Sequence, residues 1–201
     1  MTQEMTPRVD LAFRLAATLA PLDHGYALFG AICRALGDLH GAGWLAVHPL
    51  DGAPRSDGLL AVDVRRGLRM RVDPAQIPRV LPLAGQALGM GKHVLRVGGP
   101  AVQALQPAGA LGARMVVIKG FTEAEGFREA ARRQLDALQV AGRIEVGRRR
   151  VLRVGEETVV GFGVAVHELD PEGSLRVQFR GLGGRQRMGC GVLVPLRSRA
   201  A

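Results

Sequence analysis

Two cysteines in 201 residues exclude a disulfide framework, and Cys33 and Cys190 stand too far from each other and from further ligands to form a zinc pattern. Aromatic residues make up only 4% of the chain, with one tryptophan and one tyrosine. Recognition of single strands by serial base stacking is therefore disfavoured against contacts to a stem or a backbone. No apolar run reaches the roughly 18 residues that a bilayer-spanning helix needs. Met1–Pro7 has no basic stretch leading into an apolar segment, so no secretory signal is expected and a soluble, cytoplasmic protein without a membrane partner is.

The common nucleotide and metal motifs are missing as well. Gly91-Lys92 lacks the first glycine of a phosphate loop, and His93 stands where that motif needs Ser or Thr. No Gly-x-Gly-x-x-Gly follows the first strand, and no His-Glu-x-x-His occurs. Asp51, Asp57 and Asp63 fit turns better than a two-metal carboxylate set. No metal and no cofactor are expected.

What the chain has is positive charge. The formal net charge is +9, from 27 basic against 18 acidic residues. Only Lys92 and Lys119 of the basic residues are lysine. Codon usage in a GC-rich genome explains part of the arginine bias but not the excess over acid, which suits a polyanionic partner. Hydrophobic residues reach 47%, enough for a sizeable core.

The most informative stretch is Gly181-Leu-Gly-Gly-Arg-Gln-Arg-Met-Gly-Cys-Gly191, followed directly by an apolar strand to Leu196. Gly181, Gly183, Gly184, Gly189 and Gly191 permit backbone angles closed to other residues and close backbone approach. Such a loop can turn several N–H groups toward a phosphate, and Arg185 and Arg187 add forked donors that match phosphate oxygens.

The chain repeats one pattern. Val9–Ala17 reads as a strand, and 24–39 as a helix with Asp23 as its cap. Trp44–Leu50 is a strand, 59–64 and 68–72 form a hairpin, Pro74–Leu83 is helical, and His93–Val97 is a strand. After a connector the order returns: strand Arg114–Lys119, helix Glu123–Leu138, strands Arg143–Val154 and Glu157–His167, a helix from Asp170 to Arg180, and strand Gly191–Leu196. Two β-α-β-β-α-β units are expected, an α+β fold of tandem ferredoxin-like (RRM-like) domains over 1–98 and 110–201.

Without metal, RNA can be cut through its own 2′-hydroxyl, given a proton shuttle and positive charge at the phosphate. Imidazole suits the shuttle. His40, at an exposed helix-to-strand junction, is the primary candidate. It also fits a residue favoured by the helix dipole. His24 and His48 are lesser candidates, and His93 and His167 read as structural. An unbroken helix would put Tyr26 about 21 Å from His40, too far to share a site. Arg128, Arg132 and Arg133 on the second-half helix, with Arg148, Arg149, Arg150 and Arg153 on the next strand, form two basic clusters. They are candidates for holding an RNA stem, and Lys119, with Arg185 and Arg187, for offsetting the phosphate charge.

These residues resemble a known family. Pro21-Leu-Asp-His-Gly-Tyr-Ala-Leu-Phe-Gly-Ala-Ile-Cys33, Leu39-His40 before a glycine turn, Val116-Val-Ile-Lys-Gly-Phe121, Arg149-Arg-Val-Leu-Arg-Val154, Thr158-Val-Val-Gly-Phe162 and above all the glycine-rich run are similar to the Cas6 endoribonucleases that process precursor CRISPR RNA, in their short, arginine-rich type I form. The resemblance implies cleavage on the 3′ side of a repeat hairpin, leaving a 2′,3′-cyclic phosphate and a 5′-hydroxyl. It also implies CRISPR repeat RNA as partner, with other Cas subunits of a surveillance complex beside it. His40 falls where many members keep their general acid/base histidine, whereas Cys33 falls where some have a tyrosine or histidine. Two rival functions are a non-catalytic RNA-binding subunit of such a complex and a small-molecule-binding ferredoxin-like regulator.

Overall fold

The structure is a computed structural model that describes residues 6–16, 18–37 and 39–196. The first half contains β1 (Val9–Ala16), β2 (Leu19–Pro21), α1 (Gly25–Leu36), β3 (Leu45–Val47), β4 (Gly52–Pro54), β5 (Leu59–Val62), β6 (Leu68–Val72), α2 (Ile77–Val80), β7 (Ala87–Met90) and β8 (His93–Ala104). The second contains β9 (Leu111–Val116), α3 (Ala124–Ala137), β10 (Arg143–Val154), β11 (Glu157–His167), α4 (Pro171–Arg180) and β12 (Val194–Pro195).

The main sheet of the first half has the order β3-β6-β1-β8-β7, and that of the second half β10-β11-β9-β12. Apart from β7, both place the fourth strand of a β-α-β-β-α-β unit beside the first, and the third between the first and second. All the pairings are antiparallel. This is the ferredoxin-like arrangement in duplicate. Separate hydrophobic clusters fill the halves, one drawn from Leu11–Val97 and one from Leu111–Leu193. A third, smaller cluster of Met115, Val117, Leu152 and Cys190 lies between them, and Met188 packs on both it and the first core.

Local chemistry explains the cleanest elements. Asp170 accepts the Gly173 N–H at 2.7 Å, Pro171 opens α4, and Gly181 at φ +70° closes it. Gly155 at φ +61° turns β10 into β11.

Four expectations need correction. The segments 59–62 and 68–72 do not pair with each other: β5 lies between β2 and β4 in a separate three-stranded sheet, while β6 lies between β1 and β3. The Pro74–Leu83 helix is broken into two 3₁₀ turns around a single α-turn, because Pro78 and Pro82 interrupt it. Asp23 does not cap α1. Its carboxylate instead accepts the Arg153 N–H from the other half at 2.9 Å. Finally, β8 runs to Ala104, paired with β1, so the first unit extends past residue 98.

Candidate functional site

Helix α1 ends at Leu36, where Gly37 takes φ +90° and its N–H bonds the Cys33 carbonyl at 2.8 Å. Leu39 is buried at 3% exposure, and its carbonyl accepts the Ala42 N–H at 3.0 Å. This short turn sends His40 back along the helix. The exposed imidazole meets the buried ring of Phe29 edge-on, with centroids 5.4 Å apart and planes at 73°. The straight-helix spacing therefore does not apply, because the helix stops one turn before His40.

The glycine loop approaches the same ring from the second half. Its 3₁₀ turn, Gln186–Met188, places the Arg187 guanidinium carbon 5.8 Å from the Phe29 ring centroid. A histidine of one half and an arginine of the other thus share one aromatic floor. The close approach depends on Gly25 at the start of α1: a Cβ there would overlap the Met188 carbonyl oxygen.

The loop is not a cradle of free amides. The N–H groups of Leu182, Gly183, Gly184, Met188, Gly189, Cys190 and Gly191 are bonded within the protein, among them Gly183 to the Gln134 side chain at 2.7 Å, Gly184 to the Val117 carbonyl at 2.8 Å and Gly191 to the Met115 carbonyl at 2.7 Å. Gly191 at φ +66° leaves no room for a Cβ against the Leu182 carbonyl. The glycines build a rigid platform, and Arg185 and Arg187 carry its charge. Arg185 itself sits in the left-handed region at φ +60°, and it meets Glu157 of the β10–β11 hairpin at 3.4 Å.

Beside this platform lies a cleft of about 580 Å³ lined by Arg8, Gly43, Lys119, Arg180, Arg185 and Arg187, among others. Arg8 donates to the Gly43 carbonyl at 2.7 Å and pairs with Asp73 at 3.1 Å, so it braces the turn that carries His40. Lys119, Arg185 and Arg187 are thereby brought together from distant sequence positions. Arg8 and Arg180 were not legible as members of this group, since each stands alone in its segment.

His24 and His48 do not fit a part in proton transfer. His24 is 2% exposed; its Nδ1–H donates to the Pro21 carbonyl at 3.0 Å and its Nε2 accepts the Leu50 N–H at 2.9 Å. Burial pushes its pKa down, and protonation would cost the Leu50 bond. His48 is 1% exposed, donates from Nε2 to Asp10 at 3.2 Å, and is pushed down to about 4 by burial. Both are neutral structural pins.

The arginine clusters divide. Arg132 is a brace: it pairs with Asp136 at 2.8 Å and donates to the carbonyls of Gly142 and Val140. Arg128 pairs with Glu125 at 3.3 Å, while Arg133 lies over the Phe121 ring at 5.5 Å and 3.9 Å from Glu129. Arg148, Arg149, Arg150 and Arg153 follow or sit at an irregularity in the β10–β11 register and are exposed. Arg149 and Arg150, with Arg114, line a second cleft of about 430 Å³ on the Met188–Cys190 side of the glycine loop. Loss of hydration and the nearby Arg150 hold Arg114 below its ordinary pKa. Cys190 also lines this cleft, but burial pushes its thiol up to about 12 and makes it a poor nucleophile.

The comparisons with known proteins agree with this architecture. A family model described as Cas6 Crispr matches residues 9–198. The chain is a member of the Cas6 family. The CRISPR-associated endonuclease Cas6 of Myxococcus xanthus (strain DK1622) is 40% identical to it over 187 residues, covering 93% of this chain and 81% of that one. A solved CRISPR associated protein Cas6 shares the fold with a TM-score of 0.68 at 14% identity, over 94% of this chain and 100% of that chain. The product of a Cas6-related gene from Pyrococcus furiosus superposes with a TM-score of 0.65 at 11% identity, over 96% and 100% of the two chains. Among the described residues of this Cas6 protein, no helix is long and apolar enough to cross a membrane.

Proposed function

We propose that this Cas6 protein is a metal-independent endoribonuclease that cuts CRISPR repeat RNA on the 3′ side of its hairpin. The observation that carries the proposal is the shared Phe29 ring, against which His40 rests and beside which Arg187 of the neighbouring cleft lies. The 2′-hydroxyl at the cut site attacks the adjacent phosphorus. The bond to the 5′-oxygen breaks, leaving a 2′,3′-cyclic phosphate and a 5′-hydroxyl. His40 moves the proton, as base toward the 2′-oxygen or as acid toward the 5′-oxygen. Arg187, with Lys119 and Arg185 lining the same cleft, offsets the negative charge that grows on the phosphate.

The second cleft supports a longer RNA path. Arg114, Arg149 and Arg150 line one cleft beside the loop and Lys119, Arg185 and Arg187 the other, so an RNA passing over the loop meets cations in both. Arg128, Arg133, Arg148 and Arg153, exposed on α3 and β10, are the further cations that would hold the stem. The 40% identity to a curated Cas6 endonuclease supports an RNA-processing role over the two rival functions.

The decisive experiment is cleavage of repeat RNA in excess EDTA, beside a substrate with a single 2′-deoxy at the cut site. The all-ribose RNA is expected to be cut, with cyclic-phosphate ends, and the deoxy RNA to be bound intact. Tight binding of both RNAs without cleavage would establish a non-catalytic binding subunit. Weak binding with little salt dependence would point to the small-molecule regulator.

A further inference from the structure

Arg71 is among the largest fully buried side chains, at 2% exposure. It stands on β6 directly opposite Asp10 of β1, on the sheet face turned away from Leu11 and Phe13 of the first core. Its Nε and Nη2 donate to the two Asp10 carboxylate oxygens at 2.8 and 3.1 Å. His48 holds one of the same oxygens at 3.2 Å. These bonds from His48 and Arg71 overcome the effect of burial and keep the Asp10 carboxyl well below its ordinary range.

The remaining nitrogen reaches into the other half. Arg71 Nη1 donates to the carbonyls of Gln178 and Leu193, each at 2.9 Å. Gln178 lies in the last turn of α4, just before the glycine loop begins at Gly181, and Leu193 lies just after the loop ends at Gly191. The carbonyls of a helix's last turn lack partners within the helix, and the Leu182 N–H, which would donate to the Gln178 carbonyl in a continuing helix, donates to the Gly191 carbonyl instead. A cation is also favoured at this end of a helix. One guanidinium nitrogen therefore ties together both ends of the loop that carries Arg187. The rest of the same guanidinium is fixed to the half that carries His40.

We infer that Arg71 is a positioning residue for RNA cleavage, holding the glycine loop in register so that Arg187 and His40 meet at Phe29. The inference rests on the endonuclease function proposed above. Buried ion pairs seldom add much net stability. The two carbonyl bonds across the halves assign this pair a task beyond stability, namely setting the loop's position.

The test is single-turnover cleavage of repeat RNA at saturating protein and at a temperature where each variant is folded. Arg71→Lys keeps a charge for Asp10 but has no second arm to reach across. The rate is expected to fall about 10- to 100-fold, as misplacement of catalytic groups by about 1 Å does. Affinity for the 2′-deoxy repeat should change less than the rate. Arg71→Lys combined with Arg187→Ala should be no slower than Arg187→Ala alone, because the effect travels through Arg187. Should the lysine variant not fold, Asp10→Asn with Arg71→Gln replaces the buried ions by a neutral amide pair and leaves no unpaired buried charge. It still removes the cross-half bonds and should show the same loss. Wild-type rates in a folded Arg71 variant, or rate losses that simply add to those of Arg187→Ala, overturn the inference. A wild-type protein that does not cut repeat RNA overturns the proposed function instead.

Discussion

His40 rests edge-on against Phe29 at 5.4 Å, and Arg187 lies 5.8 Å from the same ring. The ring is fully buried, so it cannot serve the substrate directly. It serves as a fixed reference for two groups that come from different halves. Removal of the imidazole should abolish proton transfer while leaving the basic clefts intact. His40→Ala is expected to slow single-turnover cleavage by about 10²- to 10⁴-fold, the usual worth of a positioned acid or base. Affinity for uncut repeat RNA should stay within about threefold, since the phosphate-binding cations are untouched. Wild-type cleavage by this variant would remove His40 from the mechanism.

Gly25 offers a cleaner probe of how the halves meet. Its backbone is ordinary helix, so alanine carries no conformational penalty and would slightly favour the helix. The cost is the overlap of the new Cβ with the Met188 carbonyl oxygen, with a tight contact to the Leu152 side chain beside it. Gly25→Ala is therefore expected to lift the 3₁₀ turn of the loop from α1 and to slow cleavage about tenfold or more. Far-ultraviolet circular dichroism should be unchanged. Unaltered cleavage would mean that loop docking at this point does not set the site. By contrast, Gly191→Ala meets both a positive φ and the Leu182 carbonyl, so it should lower thermal stability as well.

How much of this was legible in the sequence depended on whether local rules decided it. Helix α4 was, because Asp170, Pro171 and Gly181 supply its cap, first turn and stop. Strands β10 and β11 were, because a single glycine turn joins two long runs. Both units of the fold followed from element order. The end of α1 was not: Ala35, Leu36 and Leu39 keep helical spacing through Gly37, where the helix stops. Nor was the separation of β5 from β6, since adjacency in sequence suggests a hairpin and only the folded sheets show otherwise. For the candidate site, a junction pointed to His40 and a glycine run to the loop arginines, and the structure brings His40 and Arg187 to one ring. Arg8, Arg71 and Arg180 were not, because isolated arginines acquire meaning only through distant partners: Gly43 for Arg8, and Gln178 and Leu193 for Arg71. The same contacts reassign Arg132, whose cluster suggested RNA but whose side chain bonds the backbone of its own unit.

The two clefts should separate binding from chemistry. Arg150 and Arg114 line the cleft on the Met188–Cys190 side of the loop, separate from the cleft that Lys119, Arg185 and Arg187 line. Arg150→Ala is expected to weaken repeat RNA binding and to lower the slope of log affinity against log salt by about 1, as the loss of one phosphate contact does. At saturating protein the cleavage rate should stay near wild type. Arg187→Ala should show the reverse pattern, with a large loss of rate and a small loss of affinity. An Arg150 variant that binds as tightly as wild type across a salt series would place the RNA outside the second cleft.

The buried histidines set the acid limit of the protein. His48 is held at about 4 in the folded chain, against an ordinary 6.5, and His24 is shifted in the same direction. Between pH 6.5 and 4 the unfolded chain takes up protons at these sites that the folded chain excludes. The unfolded state then binds more protons, so stability rises with pH in this window and is lost as pH falls through it. His48 alone should contribute a slope approaching 1.4 kcal/mol per pH unit there. Asp10 adds to the loss only at lower pH, because its carboxyl is held below its ordinary 3.8 in the folded state. Thermal unfolding followed from pH 7.5 to 4.5 should show a melting temperature that is flat above about pH 7 and falls steadily below it. His48→Gln, which keeps a neutral donor that can reach Asp10 and cannot titrate, should flatten that fall. An equally steep decline in the glutamine variant would show that other groups govern acid stability and that His48 does not stay neutral in the fold.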